Sequence, residues 1–438
     1  MLHAISKMRV LQMTPNNLNI NLKNLRPSAT LAINELTTKL SNEGIEIFKL
    51  GFGQSPFPVP KEIVQALQNN AHQKDYLPVK GLLQLRQVVS LFFNENYKLP
   101  SNAEDILIGP GSKELIYNFQ LAYNIDELLL PSPSWVSYEP QAQLNNRKTV
   151  WLKTEEKNSW KISSADIINH CENSPHKNRV LILNYPSNPI GCTYSATELE
   201  DLAGALRTYK IIVIADEIYG EVTFKGNHKT IASYYPEGTI ISTGLSKWAG
   251  AGGWRLGVFV FPENLRYILN AMAIIASETY TSTSAPIQYA AVEAYKMDDE
   301  LKIYLHNTRR ILETIGLYVY HNLLKLGVTM PKPEGGFYLF PNFSKWNAAL
   351  NKKGILTSRD FCNALIKETG VALLPGEDFG HPKNRFTARL SFVDFDGTLL
   401  LKILEEKPST ILDDAFIEEY CPKIVKATKH INKWVKSI

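Results

Sequence analysis

Lys247 and Arg255 stand eight residues apart in "STGLSKWAGAGGWRLG" (242–257), a stretch made largely of glycine, alanine and serine. Small residues bury little core but let a backbone approach another group closely. A lysine amine can form Schiff bases and move protons, and an arginine fork suits phosphate or carboxylate. Three further stretches carry complementary groups: "DEIY" with Asp216 and Tyr219, "NYPSNPIG" with Asn188, and "PGSKELI" with Gly111, Ser112 and Lys113. The last is a glycine turn opening a helix, where free backbone N–H groups favour an anion. Singly, each has a plainer reading: Asp216 as a helix cap, Asn188 as a turn residue, "GSKE" as an ordinary helix start. Neither GxGxxG nor GxxxxGK[ST] occurs, so the common nucleotide readings fail.

The elements around these residues bring them to one edge. Nearly all-apolar runs at 105–109, 127–130, 179–183, 211–215, 239–243 and 255–261 read as strands covered on both faces. Helical stretches at 112–123, 195–208 and 263–276 alternate with them, the pattern of an α/β layer with a largely parallel sheet. Ligands of such sheets sit outside the strand carboxyl ends. Asp216, Asn188, Lys247 and the "PGSKE" turn all follow strands there. A helix near 28–43, a long amphipathic run over 299–325, and strands in "GVTM", "GGFYLF", "VALLP" and "FTARLSFV" suggest a smaller α+β unit. Residues 1–30 read as an irregular arm leading into the first helix.

The 438 residues allow a large core and two or three domains. Lys plus Arg is 47 against 43 Asp plus Glu, a net charge of +4, too small to argue for nucleic acid or a membrane surface. Cys171, Cys192, Cys362 and Cys421 lack CxxC spacing, so no disulfide framework or metal site is expected and a reducing, cytoplasmic setting fits. The start, "MLHAISKMRV", lacks the apolar run of a signal peptide. The lysine-rich tail 422–438 reads as a terminal helix packed on its own domain, with a partner-binding helix as the alternative.

The set of amine, carboxylate, phenol, amide and phosphate nest is what pyridoxal phosphate requires. It needs a lysine for its Schiff base, a carboxylate to keep the pyridine nitrogen protonated, and an anion site. In order and spacing, residues 26–395 resemble a class I/II aminotransferase of the fold-type I pyridoxal-phosphate enzymes, aspartate aminotransferase-like. "SKWAGAGGWRLG" resembles the family's lysine signature. The resemblance implies that Lys247 is the Schiff-base lysine, that Asp216 pairs with the pyridinium nitrogen, and that Tyr219 and Asn188 hydrogen-bond the 3′-oxygen. It implies a phosphate site of Arg255, Gly111, Ser112 and Ser246, the position of a further hydroxyl being Gly244 here. Trp135 in "PSPSWVSY" falls where the family stacks an aromatic on the ring. "NYPSNPIG" departs from N-x-P-x-N-P-T-G only at Ile190, a change expected to touch local packing.

For substrates the resemblance implies Arg389, in "FTARLSF", on the α-carboxylate, with Arg385 as the weaker candidate. Gly53 in "LGFGQSPFPVP" is implied to contact substrate. Lys113 matches a position where some aspartate-using relatives face a distal carboxylate, beside its plainer reading near the phosphate. Tyr76 in "DYLPVKG" is implied to reach the neighbouring subunit's phosphate, hence a homodimer. The expected fold is a large doubly wound, mostly parallel domain with a smaller α+β domain from both chain ends: residues 1–55 as arm and part of the small domain, 56–317 as the large domain, 318–438 as the remainder. The expected activity is transfer of an amino group from an L-amino acid, acidic or aromatic, to an oxo acid such as 2-oxoglutarate. A lyase of the carbon–sulfur or cyclopropane-forming kind is the alternative on the same site, and a non-enzymatic binding protein is disfavoured by the presence of Lys247.

Overall fold

In the computed structural model, residues 19–22, 25 and 29–438 are described. The expectation of no signal peptide, and most of the arm expected over 1–30, lie outside them. Seven strands form the larger sheet: β1 (Ile106–Gly109), β2 (Glu127–Ser132), β3 (Thr149–Lys153), β4 (Arg179–Asn184), β5 (Ile212–Asp216), β6 (Thr239–Gly244) and β7 (Gly257–Val260). Their order is β1-β7-β6-β5-β4-β2-β3, with β7 antiparallel to both neighbours and the rest parallel.

Side chains alternate across this sheet, and both faces are covered. Val180, Ile182, Ile212 and Ile214 pack with Phe119 of the helix Ser112–Ala122 and Met272 of the helix Arg266–Glu278. Their neighbours Leu181, Leu183, Val213 and Ala215 pack on the opposite side with Leu202 and Leu206 of the helix Ala196–Thr208. Two hydrophobic faces explain the nearly unbroken apolar runs of these strands, and the arrangement is the doubly wound α/β fold expected.

A second, antiparallel sheet joins β8 (Tyr338–Leu339), β9 (Leu374–Pro375) and β10 (Ala388–Ser391) in the order β8-β10-β9. The segment after the first helix (Ala29–Asn42) attaches to it: Phe48 N–H donates to Gly370 O at 2.9 Å, and Ala372 N–H to Phe48 O at 3.0 Å. The amphipathic run over 299–325 is one helix, Asp299–Leu324, capped where Asp298 Oδ1 accepts the Leu301 amide at 2.9 Å. The tail helix Pro422–Lys436 buries Ile424, Ile431 and Trp434 against the chain's own core and leaves its lysines exposed, as the plainer reading had it.

Three sequence expectations need adjusting. β3 was not foreseen, because it is an edge strand whose Trp151 and Lys153 are not buried and whose alternation is therefore weak. "GVTM" is not a strand; Thr329 makes only an isolated antiparallel bridge to Asn342. The strand expected over 255–261 begins at Gly257, because Arg255 adopts a left-handed φ of 57°. Among the described residues no helix is long and apolar enough to cross a membrane, no His/Cys/Asp/Glu group suits a metal, and the four cysteines are free and buried.

Candidate active site

The carboxyl ends of β4, β5 and β6 open into a cavity of about 650 Å³. Of the residues expected from sequence, its walls include Gly53, Ser112, Lys113, Trp135, Asn188 and Asp216, together with Tyr219, Ser246, Lys247, Arg255 and Arg389. Gly111 stands just behind the wall as the residue before the helix Ser112–Ala122. Tyr76 does not line this chain's cavity; the residue is 88 % exposed. Arg385 is exposed and lines a different cleft with Trp151 and His381.

Lys247 follows β6 and turns its Nζ to the carbonyl of Gly53, 2.6 Å away. Burial, then the cation of Arg389, brings its amine down to about 8, while Asp216 pulls the other way. The amine also sits over the rings of Tyr219 and Phe337, 5.6 and 5.7 Å from their centroids. Gly244, where a hydroxyl was sought, has no room for a side chain: a Cβ would stand 2.5 Å from the Leu256 carbonyl oxygen.

Asp216 ends β5 with 3 % of its surface exposed. Its Oδ2 accepts the Tyr138 hydroxyl at 2.6 Å, whereas Oδ1 has no hydrogen-bond partner. Burial pushes this carboxyl up to about 6, against the lowering effects of the Tyr138 hydroxyl, the Ile218 amide and Lys247. Asn184, at the end of β4, donates Nδ2 to the Asp216 carbonyl at 2.7 Å and accepts the Asn188 amide at 2.7 Å, linking the end of β5 to the loop after β4.

Arg389, in β10, is 2 % exposed. Its Nη1 donates to Asn188 Oδ1 at 3.1 Å and its Nη2 to Gly51 O at 2.7 Å, and its guanidinium lies 4.7 Å from the Tyr338 ring centroid. The buried Nε is unpartnered. Tyr219 and Tyr338 meet hydroxyl to hydroxyl at 2.8 Å. Burial first, then Tyr338, holds the Tyr219 phenol well above its ordinary range, so it stays protonated.

Opposite, the first amides of the helix Ser112–Ala122 lack a side-chain cap. Arg255 donates to the carbonyls of Gly252 and Pro110 at 3.1 Å each. Gly111, at φ 99°, is packed so closely on Arg255 that a Cβ would overlap the guanidinium, and a Cβ on Gly257 would overlap the Ser112 amide. Uncapped amides beside an arginine make an anion cradle. Lys113 Nζ sits 5.0 Å from the Trp135 ring centroid, and burial followed by Arg255 lowers its amine. Four cations thus face one carboxylate among the described wall residues.

Tyr138, Asn184 and Tyr338 were not singled out from sequence. Tyr138 follows Trp135 by three residues, a spacing that puts both on one side of a turn. Asn184 and Tyr338 carried no local signal.

The comparisons with known proteins follow the same lines. A family model described as "Aminotransferase class I and II" matches residues 45–394. An aspartate aminotransferase of Bacillus sp. (strain YM-2) is 33% identical over 380 residues, covering 85% of this chain and 93% of that protein. An asparagine–oxo-acid transaminase of Streptococcus mutans is 33% identical over 380 residues, covering 84% and 92%. A solved structure of aspartate aminotransferase from Thermus thermophilus with maleate superposes with a TM-score of 0.80 over 95% of this chain and 99% of that one, at 24% identity.

Proposed function

The chain belongs to the class I and II aminotransferase family, and from that premise we propose that it transfers the amino group of an acidic amino acid to an oxo acid such as 2-oxoglutarate in a ping-pong cycle. Enzymes of this family are pyridoxal-phosphate dependent. When bound, that cofactor supplies an aldehyde for amines to condense with and a ring that takes up the electron pair of a broken α-carbon bond. The donor set fits it. The free Oδ1 of Asp216 suits a ring N–H, the uncapped amides of Ser112 and Lys113 with Arg255 and Ser246 suit a phosphate, and Trp135 offers a flat apolar wall.

The observation that carries the reading is Lys247, a buried amine brought down to about 8 between two arginines and a carboxylate. At pH 7 about a tenth of such amines are neutral, enough to act as a base at the substrate α-carbon and return the proton later. Arg389 offers a buried, preorganised guanidinium for the α-carboxylate, with Asn188 and Gly51 fixing its plane. Lys113, which has no carboxylate partner among the described residues, is read as the contact for a distal carboxylate. Tyr219, kept protonated, donates into the site, and the Tyr338 and Phe337 rings restrict water around Lys247.

The relatives described above are named as transaminases, which favours transfer over elimination. The division into residues 1–55 with 318–438, and 56–317, is part of the same reading, supported by the bonds joining Phe48 to Gly370 and Ala372. So is a homodimer in which the exposed Tyr76 reaches the partner's phosphate site. Purified protein loaded with pyridoxal phosphate tests the activity. Its visible band should bleach with aspartate or glutamate and return with 2-oxoglutarate, each half without the other substrate. A band unmoved by any amino acid, or release of ammonia and an oxo acid without an acceptor, would overturn the assignment.

A further inference from the structure

Asp216 presents two carboxylate oxygens to a buried environment, and only one is satisfied by the protein. The group that satisfies it is Tyr138, the first residue of the helix Tyr138–Leu144, with no exposed surface. Its ring stands edge-on to Trp135, 5.2 Å between centroids, and its hydroxyl donates to Asp216 Oδ2 at 2.6 Å. Burial, then the neighbouring Asp216 charge, holds this phenol well above its ordinary range. It therefore remains a donor wherever Asp216 is ionised. Asn184 grips the same residue through its main-chain carbonyl, so backbone and side chain are fixed by different partners.

We propose that Tyr138 is a positioning residue for the transamination site, acting through Asp216: its hydroxyl occupies Oδ2, leaves Oδ1 as the single free acceptor facing the cavity, and keeps the carboxylate ionised in a buried pocket. The proposal rests on the functional reading above, in which Asp216 meets the cofactor's ring nitrogen. The other charged or titratable groups facing Asp216 are Lys247 from the loop after β6, the adjacent Glu217, and Tyr219. Lys247 favours the ionised form and Glu217 opposes it. Tyr138 is the side chain that hydrogen-bonds the carboxylate directly.

Tyr138→Phe deletes the hydroxyl and keeps the ring against Trp135. A hydrogen bond to a charged acceptor is lost, which raises the Asp216 pKa and moves the acid limb of every Asp216-dependent property to higher pH, by about one unit. The experiment measures the dissociation constant of pyridoxal phosphate from pH 5 to 8, with pH profiles of kcat and of the donor KM. It uses the parent protein, Tyr138→Phe, Asp216→Asn and the double variant. The expected result is an acid limb displaced upward in Tyr138→Phe, cofactor affinity about fivefold weaker near pH 6 and nearer the parent at pH 8, kcat lowered more than KM is raised, and no further effect of Tyr138→Phe once Asp216 is Asn.

An unmoved acid limb would overturn the proposal, even where the thermal midpoint of the variant falls. An undiminished effect of Tyr138→Phe in the Asp216→Asn background would do the same, because the hydroxyl would then act elsewhere. If Asp216→Asn alone leaves cofactor affinity and turnover intact, the functional reading itself fails, a result distinct from a damaging Asp216→Asn beside a silent Tyr138→Phe.

Discussion

The hydroxyls of Tyr219 and Tyr338 lie 2.8 Å apart, although the residues are 119 positions apart and belong to the carboxyl edge of the large sheet and to β8 of the small one. Both rings are buried, and the missing side chain of Gly53 is what makes room for the Tyr338 hydroxyl. Tyr338→Phe should leave the Tyr219 hydroxyl without this partner, at a cost of about 1–3 kcal/mol, read as a lower urea midpoint. Gly53→Ala should push Tyr338 off Arg389 and lower kcat/KM more than it lowers the midpoint. Equal turnover in both variants and the parent would show that the contact is only structural.

Lys247→Ala should reduce turnover by at least about a thousandfold, since the variant loses both the proposed attachment point and the proposed base. The cofactor should still bind, held by the Arg255 cradle and Asp216, so equilibrium dialysis should find it retained without a covalent link. Substantial turnover by this variant would remove Lys247 from the chemistry.

Arg389→Ala should weaken every amino-acid donor, with kcat/KM falling by about 10²–10³, because the proposed buried charge pair with the α-carboxylate is lost. It should also act on Lys247. Arg389 is the largest charge lowering that amine, so its removal raises the Lys247 pKa above about 8. The neutral amine then persists only at higher pH, and the acid limb of the rate of cofactor attachment should move upward. Arg389→Lys should not restore KM, since an ammonium cannot reproduce the fork held by Asn188 and Gly51.

Gly257→Ala should cost cofactor affinity more than stability. Its added methyl would overlap the Ser112 amide and come 2.9 Å from the Gly111 Cα, displacing the first turn of the anion cradle. A tenfold or greater rise in the dissociation constant for pyridoxal phosphate is expected, on the scale of losing one or two hydrogen bonds to a phosphate. Unchanged affinity would place the phosphate away from these amides.

Asp216→Asn should make the cofactor-free protein more stable near neutral pH. The folded-state carboxyl is raised from 3.8 to about 6, so the folded protein holds its proton more tightly than the unfolded chain. Stability therefore falls as pH rises from about 4 to 6 and stays reduced above, by on the order of 2–3 kcal/mol. Asparagine carries no such penalty. The gain in urea midpoint should be largest above pH 6 and vanish towards pH 4; a gain independent of pH would assign it to something other than this carboxyl. Destabilisation of this kind is common where function requires a buried charge.

Much of the site was legible in the sequence because it is made of strand ends. Asp216, Lys247 and Asn188 each follow an apolar run, and in a doubly wound sheet successive strand ends share one edge, so order along the chain already predicts proximity. The glycine-rich stretch around Lys247 and Arg255 is local too, since its backbone must pass close to Ser112 and Leu256. Tyr138, Asn184 and Tyr338 escaped notice for the opposite reason. Each makes a hydrogen bond to a residue 32 to 119 positions away, and no spacing rule reports which of several polar residues makes such a bond. Residue order and motif spacing alone pointed to the sheet edge, the charged residues gathered there and the family. The partner of each buried polar atom was decided only by tertiary packing, because satisfying a carboxylate or hydroxyl away from water depends on ångström-scale closure between elements and not on the order in which they are made.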